Sequence, residues 1–242
     1  MSEALNNTGV VVPTTTVIKP KKTRSPINQA QARELTKAET VATAASKADR
    51  TAALANRDID EQFVTAMFTE VGQAREKAAE AILNTTAQRE ATATQAKAEK
   101  SLLTGLKEVQ KAAKQKYTRT NRIALAAYFV GKKLNGSKPN LAQSSQTIIE
   151  KAGLDSLPGF TPAKVKALGG LRKNWVATTD AHIAAQSATL QARAELKALL
   201  KSVKDKCVAV QLAADAEWPP ANEEHHGVRK EFVLAANHSL QV

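Results

Sequence analysis

Three features predict an all-α fold: an elongated antiparallel helical hairpin or three-helix bundle with two very long helices and a small helical head. First, the stretch after Thr161 carries no Gly or Pro between Gly170 and Pro219. Within it, apolar or small residues recur three and four apart from Val165 to Trp218. Second, a seam of matching length runs from Ile59 to about Lys116 with a spacing near 3.5, the coiled-coil period. Third, aromatics make up only 4% of the chain, and the apolar remainder is largely Ala, Leu and Val. Small residues suit closely packed helices, and no run of alternating β-branched residues reads as a sheet strand.

Residues 1–26 are rich in Thr, Asn, Pro and Val and carry the cluster Lys19-Pro20-Lys21-Lys22-Thr23-Arg24. With no helical period, they read as a disordered basic arm. The bundle then occupies residues 27–218. From Pro26 to about Ala55 the residues are helix formers with a weak, mostly Ala face, which predicts one helix ending at Asn56-Arg57. Asp58 and Glu61 have the form of a capping box opening the next helix. That helix spans roughly 85 Å at 1.5 Å per residue, and its seam includes Ile82, Leu103 and Leu106. Its middle, Asn84 to Gln95, is mostly Ala, Thr and Gln, which bury little area.

Residues 117–160 form the connecting head. Thr120 can cap a short helix over Ile123–Val130 that closes near Gly136, and a second helix is expected from Leu141 to Ala152 with Gly153 as its C′ residue. Thr161 and Pro162 suit the N-cap and first position of the last long helix, roughly 80 Å in length. Its seam includes Trp175, His182, Leu196, Leu200, Val203, Cys207 and Trp218. Pro219-Pro220 stop it, and residues 219–242 are expected to return along the bundle as an extended strap with Phe232, Val233 and Leu234 against it.

The lone cysteine, Cys207, excludes a disulfide framework and reads as a buried small hydrophobe in a reducing compartment. No apolar run has transmembrane length and no signal pattern opens the chain, so the expected location is cytoplasmic. The net charge of +12 is uneven: residues 97–138 hold eleven basic and two acidic residues, whereas residues 27–96 hold eight and ten. Lys97, Lys100, Lys107, Lys111 and Lys114 repeat at helical spacing, and Arg119, Arg122, Lys132 and Lys133 continue the charge into the head. This pattern is a candidate footprint for nucleic-acid phosphate or another anionic surface.

Leu157-Pro158-Gly159-Phe160, running into Thr161-Pro162, resembles a helix-hairpin-helix turn. The resemblance covers about a dozen residues and implies backbone N–H groups offered to a DNA phosphate. The second glycine of that pattern is Thr161 here, and a plain turn with a Thr-Pro helix start accounts for the same residues. Glu223, Glu224, His225 and His226 lack metal-ligand spacing, and no phosphate loop or nucleophile elbow is present. No metal, cofactor or catalytic site is therefore expected.

The leading expectation is a non-enzymatic structural or interaction rod that pairs with itself or with another helical protein. Leu103, Leu106, Trp175, Leu196, Leu200, Val203 and Trp218 would line its seam or interface. The first alternative is a protein binding nucleic-acid phosphate non-specifically through the head and arm. The second is a helical protein attached to an anionic membrane through Ile123–Val130.

Overall fold

The computed structural model describes residues 27–117 and 121–240. The basic arm 1–26 and Arg119 lie outside the described residues, as does Thr120. Two helices dominate: α3 (Glu61–Tyr117) and α6 (Pro162–Glu217), packed antiparallel. Before them come α1 (Gln29–Ala45) and α2 (Ala48–Ala55); between them lie α4 (Arg122–Ala127) and α5 (Lys138–Leu154). A 3₁₀ turn (Glu223–His225) and α7 (His226–Glu231) follow. Among the described residues there is no strand, and no helix is long and apolar enough to cross a membrane.

Residue chemistry explains most boundaries. Asn28 and Gln31 form a reciprocal capping box at α1. Ser137 caps α5 with Pro139 in its first turn, and Thr161 caps α6 with Pro162 in the same role. Where the structure departs from expectation, a local interaction decides. The expected single helix over 27–55 breaks at Ser46–Lys47: Ser46 closes α1 with its hydroxyl on the Thr43 carbonyl, and Lys47 takes an extended ψ of 137 before α2 begins. Asp60, not Asp58, caps α3 by accepting from the Phe63 N–H, while Asp58 sits at φ 62. Asn121 caps α4, which stops at Ala127 because Phe129 and Gly131 turn the chain with φ 54 and 85. Gly153 stays inside α5, whose C-cap is Asp155. The strap is not extended throughout: it winds into the 3₁₀ turn and α7. It buries Phe232 and Leu234 but leaves Val233 exposed at φ 56.

The α3–α6 register is constant along the rod. Glu70 meets Ser202, Lys77 meets Glu195, Thr189 donates to the Asn84 carbonyl, Gln95 donates to Thr179, and Gly105 faces Leu168. Two cores result. The base core joins α1, α2, the start of α3, the end of α6 and the strap, with Met67, Val71, Leu196, Val203 and Cys207 inside. The head core joins the end of α3 to α4, α5 and the start of α6, with Leu102, Leu106, Ile148 and Trp175 inside. Between them no side chain is buried on α3 from 82 to 94, nor on α6 from 176 to 188. This waist is roughly 20 Å long.

Each core holds one of the two tryptophans: Trp175 in the head, and Trp218 in the base, stacked on Phe232. Leu54→Ala in the base is expected to cost about 2–5 kcal/mol and to shift the Trp218 transition while leaving Trp175 in place. Leu106→Ala should do the reverse; denaturant melts of the two single-tryptophan variants read this out. A Cβ at Gly105 would stand 2.6 Å from the buried Leu168 methyl, so Gly105→Val should lower stability by about 1–3 kcal/mol in urea unfolding.

Candidate functional site

The rod is electrically one-sided. Residues 97–182, spanning the head and its approaches, hold sixteen basic and five acidic residues. The remaining bundle, 27–96 with 183–242, holds fifteen basic and seventeen acidic. Ion pairing is partitioned the same way. Nine of the ten ion pairs among the described residues lie in the base half or beside it. The head has one, Lys151 with Asp155.

Helix geometry sets out the head cations. The α3 residues that meet α6 are Ala98, Leu102, Leu106, Val109 and Ala113, all buried. Lys100, Lys107, Lys111 and Lys114 fall on the opposite side of the helix, with Lys97 beside them, and all five are exposed. Together they make a ridge of about 25 Å along the rod. Arg122 opens α4 and is exposed. Lys132 and Lys133 are exposed in the turn after it, with Lys132 over the Phe129 ring. None of these eight described cations has an ion-pair partner among the described residues.

The seam residues go to the two cores. Leu103, half-buried, joins Leu106 and Trp175 in the head, while Leu196, Leu200, Val203 and Trp218 join the base. Ile82, placed on the seam by its spacing, is instead partly exposed at the waist, because Ala81 takes the inward position. Burial pushes the Cys207 thiol up, so it stays protonated in the base core. The helix-hairpin-helix-like turn uses its backbone internally. Gly159 takes φ 73, the Phe160 N–H donates to the Leu157 carbonyl, and Lys164 Nζ donates to the Gly159 carbonyl. Among the described residues no three His, Cys, Asp or Glu side chains gather as metal ligands would.

Two polar clusters were not found by spacing. Asp155 accepts hydrogen bonds from Tyr117 (2.6 Å) and Tyr128 (2.7 Å), tying the end of α5 to the end of α3 and to the turn after α4. In the base, fully buried Arg229 pairs with Asp215 and donates to the carbonyls of Trp218, Ala235 and His238, clasping the strap. These partners are far apart in sequence and share no motif, so only the fold brings them together. Compared with protein-family models, with curated proteins and with solved structures, the chain gives no match.

The Asp155 cluster sets how the head responds to pH. The two tyrosine hydroxyls, helped by Lys151, hold the Asp155 carboxyl below its ordinary range. Its stabilisation is therefore complete above about pH 4 and is lost as pH falls through the lowered folded value. Both tyrosines are held above their ordinary range, Tyr128 chiefly by burial and Tyr117 chiefly by its bond to Asp155. Their contribution is complete below about pH 10 and is lost as pH rises through the raised values. These are the only tyrosines in the chain, so tyrosine near-ultraviolet circular dichroism reports on the head alone. Asp155→Asn should remove the acid-side loss of that signal.

Proposed function

We propose that this protein is a non-enzymatic interaction rod that presents a cationic head to nucleic acid and binds its phosphate backbone without reading sequence. The carrying observation is the charge partition. Seven of the fifteen base cations sit in ion pairs and acidic residues outnumber basic ones there, whereas the lysine ridge and the α4 turn leave theirs exposed and unpaired. A straight ridge of lysines at helical spacing fits a linear array of phosphates, and release of condensed counterions would supply the affinity. The basic cluster 19–24 of the arm would add contacts of the same kind. A cytoplasmic setting suits both a buried, protonated thiol and a nucleic-acid partner.

A second reading rests on a separate observation. Two large apolar side chains of the head are almost fully exposed, Ile123 at 88% on α4 and Leu154 at 84% at the end of α5. Beside so many cations they would suit an anionic membrane surface, with Ile123 entering the interface.

Fluorescence anisotropy with a short duplex of arbitrary sequence tests the first reading. Five lysine contacts predict a log-log salt slope of about −4 to −5. Lys107→Glu with Lys111→Glu should flatten that slope by about two and weaken binding about tenfold or more. No binding at low salt by the unaltered protein would end the nucleic-acid reading. Co-sedimentation with phosphatidylserine vesicles, lost in Ile123→Asp, would favour the membrane instead.

A further inference from the structure

The waist carries an apolar stripe that no part of the described fold covers. On α6, Val176, Ile183 and Leu190 recur every seven residues and so share one side of the helix. Val176 packs against the head core, but Ile183 is 55% exposed and Leu190 61%. Ser187 and Ala194 lie on the same stripe, four residues on from Ile183 and Leu190, and both are exposed. The positions form a short heptad seam with large residues at one site and small ones at the other. The seam flanks the α3-facing side of α6, whose contacts run through Thr179, Thr189 and Ala192, and its large side chains stay open to solvent.

The stripe's chemistry selects its occupant. From Ala181 to Ala192 α6 has no Asp, Glu, Lys or Arg, so the stripe offers nothing to an ionic ligand. Its ends are charged and opposite: Asp180 on the head side, Lys197 on the base side. Both are exposed, and neither has an ion-pair partner among the described residues. A second α6 laid antiparallel, with the two-fold axis between Gln186 and Ser187, sets Ile183 of each copy against Leu190 of the other. It also brings each Asp180 across from Arg193 and about one turn from Lys197 of the other copy. A parallel pairing would set Asp180 on Asp180 and Lys197 on Lys197. At the scale of the whole rod, the antiparallel arrangement turns each strongly basic head toward the near-neutral base of the other copy.

We infer that the exposed face of α6 between Asp180 and Lys197 is a self-association site, pairing two copies antiparallel about the step from Gln186 to Ser187. The contact is short and sits at the lower end of stable interfaces, so assembly depends on protein concentration. It does not depend on what the head binds.

Sedimentation velocity of the full chain over micromolar concentrations, without nucleic acid, tests this. The unaltered protein should pass from an elongated monomer to a dimer. Ile183→Asp with Leu190→Asp should remain monomeric at unchanged helicity by circular dichroism, whereas Ala188→Asp, on the other side of α6, should still dimerise. Asp180→Lys should weaken the dimer and Asp180→Lys with Lys197→Asp should restore it, which a parallel or face-independent contact would not do. A wild-type monomer throughout would overturn the site. So would a dimer that survives the Ile183/Leu190 change, or one abolished by removing residues 1–26, which would hand the contact to the arm.

Discussion

Thr189 donates to the backbone carbonyl of Asn84; about two turns away along the helices Lys77 meets Glu195, and about three turns the other way Gln95 donates to Thr179. These bonds matter because the waist offers little else to hold α3 and α6 in step. Ala- and Thr-rich seams bury small, similar side chains, so a slip by one heptad would cost little in packing there. It would, however, separate the buried Gln95 amide from Thr179 and the Thr189 hydroxyl from the Asn84 carbonyl, a penalty that only the native register avoids. With the register set, Gly105 meets Leu168, both cores close, and the exposed faces of the rod follow.

Much of the architecture could be read in the residues. Two seams of equal length imply partners of equal length, and Thr161-Pro162, with Pro219-Pro220 beyond, marks the limits of α6 to within a residue or two. Boundaries within the first 60 residues were less legible. The break at Ser46–Lys47 and Asp60 capping in place of Asp58 are choices among near-equal local options. The strap's fold-back was legible in Phe232 and Leu234, but its helical turn was not, since Arg229 holds it from within by contacts to residues on both sides.

For the site, periodicity located the lysine ridge, because surface charge at helical spacing is visible without tertiary knowledge. That these cations stay unpaired was not legible, since pairing in the base depends on which helices meet: Arg75 reaches Glu39 of α1 and Lys206 reaches Glu70 of α3. The Tyr117–Asp155–Tyr128 junction escaped for the same reason. It adds a polar tie to the head core: one carboxylate gathers two phenols from different elements, and their hydroxyls, with Lys151, favour its ionised form.

The two cores also differ in how the chain assembles them. Every buried residue of the head core falls between Ala98 and Trp175, one uninterrupted segment, whereas the base core joins Leu35–Ala78 to Leu196–Leu234. On a ribosome the head therefore has all of its parts while the second half of the base is still being made. Low loop-closure cost lets it fold first. Until α6 is complete, the early faces of α1, α2 and α3, with Val41, Leu54 and Met67, wait without their partner. The head is in effect a self-contained hairpin inserted into the base, able to close its core before its own support exists.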